Sequence, residues 1–263
     1  MPYTPMQLAN SFIKTGEFTD ALDALNAQLV QVPHDDEALR LRAQVLARMD
    51  NPSQALIDIT AVLAPTSDDQ FIKSVLYERM SDMPNAIASL NVNEPRHAER
   101  LVYLLGIQEN WHRVLEVIKA QPPSWRWQQY EADTLVKMGR DSEALVCYEG
   151  VLQALAVVTS QSSQKGVFTA MTARILMAQA FIFLRLAQYD EVEARLQRAS
   201  QYIPDDPAIG FNMGIIWVHR GDLAKAIAYA KEALLNASLD VKAHLLQSLH
   251  DDPRLSALRD ALE

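Results

Sequence analysis

Two short strings in the chain repeat a histidine followed by two acids, His34-Asp35-Asp36 and His250-Asp251-Asp252. Imidazole nitrogens and carboxylate oxygens are metal ligands, so each string could contribute to a metal site. The stronger reading is a turn between helices, in which an aspartate accepts the unpaired amides that open the next helix. The other histidines, His97, His112, His219 and His244, are scattered singly. The one cysteine, Cys147, falls on an apolar helical stretch and reads as a buried, inert thiol. The chain contains no glycine-rich phosphate loop, no Gly-x-Gly-x-x-Gly, no His-Glu-x-x-His, no Cys-x-x-Cys and no Gly-x-Ser-x-Gly. The expectation is therefore no catalytic, cofactor-binding or metal-binding residues, no cofactor, and a protein that is not an enzyme.

Composition narrows the class further. Of 263 residues, 49% are apolar and only 8 are glycine, which favours a helical chain with a large core. The net charge of -9 disfavours non-specific attachment to nucleic acid or an anionic membrane. Residues 1–10 carry no basic stretch leading into an apolar one, no uninterrupted apolar run approaches the roughly 18 residues that cross a bilayer, and a single cysteine cannot form an internal disulfide. These features predict a cytoplasmic protein that binds neither nucleic acid nor membrane.

What positions the side chains is a repeat. The segments Lys14–Ala21, Arg48–Ala55, Arg79–Ala86, Lys137–Ala144, Arg185–Val192 and His219–Ala226, with a looser copy at Ile107–Val114, share one pattern. They line up as a helix end, a tight turn, an apolar residue, and a small residue three places later. Gly16, Gly139 and Gly221 can adopt the left-handed conformation that ends a helix without a Cβ clash. Phe18, Trp111, Tyr189 and Leu223 follow the turn and are predicted to pack into the hairpin. Ala21, Ala55, Ala86, Ala144 and Ala226 are predicted where two helices approach closely.

Copies begin near residues 2, 36, 67, 95, 125, 173 and 207. Leu8, Ala9, Phe12, Gly16, Phe18, Ala21, Leu25 and Pro33 in the first copy, and Met213, Gly214, Trp217, Gly221, Leu223, Ala226 and Ala230 in the last, resemble the tetratricopeptide repeat, a 34-residue helix–turn–helix unit. The resemblance covers nearly the whole chain. It implies an all-α, right-handed superhelical solenoid of about seven helical hairpins, a single domain over 1–263. The repeats are placed at 2–35, 36–66, 67–94, 95–124, 125–152, 173–206 and 207–240, with an insertion at 153–172 and C-terminal capping helices at 239–263. Copies two to four are short, which predicts trimmed second helices. Within the insertion, 159–166 is predicted as a polar loop. Gly210 and Gly214 are predicted at a helix–helix contact.

The resemblance also implies function: a protein- or peptide-binding adaptor or scaffold using the concave face lined by the first helix of each repeat. The alternative is a regulatory receptor for a small peptide, with the 159–166 loop as a lid or hinge and a change of curvature on binding. Carrying the family's inward-facing offsets onto each copy gives 42 positions, of which ten are Lys or Arg and five are Asp or Glu. The expected lining includes Arg40, Arg79, Arg96, Arg100, Tyr103, Arg126, Tyr130, Arg174, Met177, Phe181, Arg185, Phe211 and Ile215. A basic middle and an apolar C-terminal part would suit an acidic amphipathic segment of a partner. The family's carboxylate clamp for chaperone tails is not predicted, because Met6, Leu41, Phe71 and Val75 stand where its polar residues would be.

Overall fold

The computed structural model describes residues 3–161, 165–235, 237–250 and 252–262. Within them the chain is helical and contains no strand. It divides into two compact units, 1–122 and 123–263.

Unit 1 holds four hairpins: α1 (Pro5–Thr15) with α2 (Phe18–Gln31), α3 (Asp36–Arg48) with α4 (Pro52–Ala61), α5 (Ser67–Arg79) with α6 (Met83–Ala88), and α7 (Pro95–Ile107) with α8 (Trp111–Lys119). Unit 2 holds three: α9 (Trp125–Lys137) with α10 (Asp141–Gln161), α11 (Lys165–Arg185) with α12 (Tyr189–Ser200), and α13 (Pro207–His219) with α14 (Leu223–Leu235). It ends in α15 (Leu239–Ser248), a 3-10 turn (Pro253–Leu255) and α16 (Ser256–Leu262). Leu249, Leu255 and Leu258 from this terminal segment are buried with Phe211, Ala226 and Ala230, so it covers the last hairpin's apolar face as expected.

The hairpin turn repeats at the level of one dihedral angle. Gly16, Asp50, Ser81, Glu109, Gly139, Ala187 and Gly221 have φ between 54° and 82°. Their separations equal those of the repeat starts. In each hairpin an amide following the left-handed residue reaches back to a carbonyl of the last helical turn, for example Glu17 to Phe12 (2.9 Å) and Gln188 to Phe183 (2.9 Å). Glycine relieves the strain at three of these turns, and the other four adopt the same geometry without it.

The predicted small residues Ala21, Ala55, Ala86, Ala144 and Ala226 are all fully buried. Leu223 is a departure: it is exposed on the start of α14. Trimming is visible in α4, α6 and α8, which have 10, 6 and 9 residues against 14 in α2. Three of the four aspartates of the histidine strings accept from backbone amides, and Asp251 lies outside the described residues. Asp35 caps α3 through the amides of Glu37 and Ala38 (both 3.1 Å), Asp36 accepts from Leu63 and Ala64 (2.9 and 3.0 Å), and Asp252 accepts from the Arg254 amide (2.9 Å).

The insertion differs from expectation. It lengthens two helices: α10 and α11 each have 21 residues, about 31 Å against about 20 Å for a 13-residue neighbour. Of the polar loop expected at 159–166, residues up to Gln161 and from Lys165 are helical, and 162–164 lie outside the described residues. No Pro falls in either helix, and the two glycines within them, Gly150 and Gly166, do not end them. The lengthening also corrects the expectation about membrane-length segments. Asp141–Ser160 and Gly166–Arg185, with mean hydropathies of 1.2 and 1.7, are long and apolar enough to cross a bilayer. Uninterrupted apolar runs are short in both, but their average is high because alanine and threonine separate the larger apolar residues. Both helices also pack against neighbours, α10 on α9 and α11 on α12.

Candidate binding faces of the repeat array

In unit 1 the expected basic lining is an ion-pair ladder between successive repeats. Arg40 on α3 donates through Nε to both carboxylate oxygens of Asp69 on α5 (3.0 and 3.1 Å), and through Nη2 to Asp69 (3.0 Å) and the Ala64 carbonyl (2.8 Å). Asp69 is also the third residue of α5, where it closes a reciprocal cap with Thr66. Burial alone would raise its carboxyl, but the bonds from Arg40 and Thr66 outweigh burial and hold it below the ordinary carboxylate range.

Arg79 on α5 reaches back to the α3–α4 turn, donating to the Ala47 carbonyl and to Asp50 (both 2.7 Å). Arg96 on α7 pairs with Asp68 (2.7 Å) and lies 3.9 Å over the Phe71 ring. Arg100 donates to Ser74 (2.8 Å) and Glu78 (2.6 Å), with its side chain only 12% exposed. Each of these four arginines therefore has its fork engaged by a carboxylate of a neighbouring repeat. Tyr103, on the same helix as the last two, is 55% exposed.

A second pairing, missed in the sequence, lies within the second repeat. Arg42 donates to both oxygens of the buried Asp58 (2.8 and 2.7 Å), tying α3 to α4. The only signal for the ladder was arithmetic: Arg40–Asp69, Arg79–Asp50 and Arg96–Asp68 are separated by 29, 29 and 28 residues, about one repeat.

Unit 2 is arranged differently. Phe211 and Ile215, expected on the lining, are core residues, 0% and 7% exposed. They pack with Ala226, Ala230 and Leu249 because α13 is apolar around its whole circumference, so the inward offset there meets other helices. On α11, by contrast, Phe181 is 55% exposed. With Met177, Leu184 and Asn212 it borders a hollow of about 50 Å³ floored by Ala180, Val192 and Leu196.

Arg185 pairs with Asp141 at the start of α10 and lies 5.3 Å from the Phe181 ring centre. Arg174, one turn before Met177, is exposed. Its charge acts on Asp133 of α9, which reaches solvent while protein crowds its carboxylate. That crowding raises the Asp133 carboxyl, against opposing pulls from the Tyr148 hydroxyl, which donates to it at 2.5 Å, and from Arg174 and Lys137. Burial, and then that same carboxylate, push the Tyr148 phenol above its ordinary range. Arg126 lies 5.7 Å over Trp125, and Tyr130 packs 5.4 Å from Trp127, both on α9. Cys147 on α10 is half-buried, and burial with the charges of Glu131 and Glu143 raises its thiol, which keeps it protonated.

The comparisons agree with this construction. The tetratricopeptide-repeat family profile matches residues 6–69 and 177–240. No curated protein matches the chain in sequence. Among solved structures, a tetratricopeptide repeat protein from Parabacteroides merdae superposes with a TM-score of 0.53 at 13% identity, covering 92% of this chain and 96% of that one. The C-terminal part of a repeat-containing protein from Cytophaga hutchinsonii gives 0.63 at 12% identity, covering 86% and 93%.

Proposed function

Because this chain is a tetratricopeptide-repeat protein, an all-α repeat scaffold of the kind that serves protein interaction, we propose that it is an adaptor holding a partner's peptide segment on the first-helix face of unit 2. The observation that supports this most is Phe181: a large apolar side chain left 55% exposed beside a hollow on α11, with Arg185 5.3 Å from its ring centre and the exposed Arg174 two turns earlier on the same helix. An aromatic ring left in water next to a hollow, on a helix that also carries an exposed guanidinium, suits a segment bearing an aliphatic side chain and carboxylates. An acidic amphipathic segment is therefore the proposed partner, in a cytoplasmic setting and without nucleic acid or lipid as ligand. The four unit 1 arginines take part only indirectly, by fixing the register of successive repeats.

The test is selection of random 15-residue peptides against the intact protein, followed by affinity measurement on Arg174→Glu/Phe181→Ala. Both side chains are exposed, so the variant is expected to fold. Selected peptides are expected to be rich in Asp, Glu and aliphatic residues and to lose at least about tenfold in affinity on the variant. Peptides of neutral or basic composition that bind both forms equally would refute the assignment.

A further inference from the structure

A second hollow, of about 410 Å³, exists because α10 and α11 are longer than their neighbours. It lies at one end of three successive helices. Leu152, Ala156, Thr159 and Ser160 come from the end of α10, Thr169 and Thr172 from the start of α11, and Arg198 and Tyr202 from the end of α12 and the turn after it. None of the eight is acidic. Residues 150–189 contain no Asp or Glu at all, in a chain that carries 33, and hold Lys165, Arg174 and Arg185. At the chain's average density a stretch of that length would carry about five acids, so α11 and the second half of α10 bring no carboxylate of their own to the hollow. Arg198 is exposed, and its guanidinium has no hydrogen-bonded or ion-paired partner among the described residues, unlike the unit 1 arginines.

The hydrogen-bonding inventory selects the ligand. The Thr159 hydroxyl donates to the Leu155 carbonyl (2.7 Å), Ser160 to Val157 (2.7 Å) and Thr172 to Phe168 (2.9 Å). With their protons committed to their own helices, these oxygens face the hollow as acceptors. Arg198 and Tyr202 add donors, a guanidinium and a phenolic hydroxyl. A phosphate, whose surface is all acceptor, would meet several lone pairs and only one cation. A carboxylate followed by N–H groups meets both halves of the inventory: guanidinium for the anion, hydroxyl oxygens for the amides. Leu152 and Ala156 supply an apolar wall.

We propose that this hollow binds the free C-terminus of a peptide ending in an aliphatic residue. Its carboxylate lies on Arg198, its last amides face Thr159 and Thr172, and its side chain lies against Leu152 and Ala156. The site uses the ends of α10, α11 and α12 and does not depend on the first-helix face assigned above.

The experiment measures fluorescence anisotropy of an N-terminally labelled Gly-Gly-Ala-Leu peptide, its C-terminal amide, and the unlabelled competitors isovalerate and inorganic phosphate, on the intact protein. The free acid is expected to bind at least about tenfold more tightly than the amide, a difference lost in Arg198→Ala and partly kept in Arg198→Lys. Phe181→Ala, on the other face, is expected to leave this binding unchanged, which separates the present assignment from the adaptor face. Circular dichroism is expected to match in all forms because the exposed Arg198 guanidinium makes no hydrogen bond or ion pair among the described residues. Equal binding of acid and amide, no effect of Arg198→Ala, or competition by phosphate stronger than by the peptide would overturn the proposal. Isovalerate matching the peptide would also overturn it, since the site would then recognise a small acid without the amides.

Discussion

Gly210 and Gly214 lie one turn apart on α13 against α14, and the packing assigns them different fates on substitution. A methyl group added at Gly214 would stand 2.9 Å from the Ala226 carbonyl oxygen, 3.3 Å from the Ala230 nitrogen and 3.4 Å from its Cβ. These are mainly backbone atoms of a helix and cannot swing aside. A methyl at Gly210 would meet only the Ala233 side chain, at 3.3 Å, with its Cα at 3.9 Å. Replacing a mid-helix glycine by alanine gains roughly 1 kcal/mol of helix propensity, and overpacking a close contact costs roughly 1–3 kcal/mol. For Gly210→Ala the two effects nearly cancel, giving a change within about 0.5 kcal/mol of zero. For Gly214→Ala the steric cost lies at or beyond the upper end of that range, leaving a net loss of about 2 kcal/mol. That corresponds to roughly 4–8 °C in the melting of unit 2. Repeat proteins need not unfold in one step, so amide hydrogen exchange resolved on α13 and α14 is the assay, with thermal unfolding by circular dichroism beside it. Equal protection in the two variants, or a more stable Gly214→Ala, would show that α13 and α14 can separate freely and would refute the close-contact argument.

Three further outcomes are expected from the same geometry. Arg42→Ala strands the carboxylate of Asp58, 1% exposed, and is expected to destabilise unit 1 by roughly 3–5 kcal/mol, whereas Arg42→Leu with Asp58→Leu together is expected to lie near wild type by urea unfolding. Ala187→Gly relieves a left-handed alanine at φ 55° and is expected to gain about 0.5 kcal/mol, the strain relief exceeding the extra freedom of the unfolded chain; a loss in denaturant midpoint would contradict it. His219 is stacked on Tyr189 at 5.4 Å, and burial, then the charge of Arg254, lower its pKa against the pull of Asp252. The unfolded chain therefore binds the proton more readily: the His219 contribution is complete above the ordinary histidine value of 6.5 and is lost as pH falls from there through the folded value. His219→Gln is expected to flatten the stability profile between about pH 7 and 5, and an unchanged slope in a pH series of melting curves would count against it.

The fold was legible because its information is local. A left-handed turn, a small or β-branched residue five positions later and an apolar helix face all fall within one repeat, and seven copies reinforce one another. The insertion was harder to read. Thr159 to Gly166 is polar and suggested a loop, but neither glycine nor proline falls between Asp141 and Gln161 except Gly150, and tertiary support from α9 and α12 lets two helices run on. Offsets also failed at Phe211 and Ile215. Their place in the repeat was right, but whether an inward offset meets solvent or another helix depends on residues further along the chain, and here the terminal leucines Leu249, Leu255 and Leu258 close over that end.

The same distinction explains the charge. Counting Lys and Arg against Asp and Glu on the inward offsets gave a basic face, but the count omitted acids that neighbouring repeats carry to the same place. Asp69 opens a helix and Asp50 lies in a hairpin turn, and neither occupies an inward offset, yet both are bonded to arginines that do. A surplus of one sign within a set of positions is thus no measure of the field there until partners one repeat away are included. Pairing across repeats removes Arg40 and Arg79 through these uncounted acids, and Arg96 and Arg100 through the counted Asp68 and Glu78, as free anion receptors. It leaves guanidinium groups with no bonded carboxylate among the described residues, Arg174 on α11 and Arg198 near the end of α12, as the candidates for recognition.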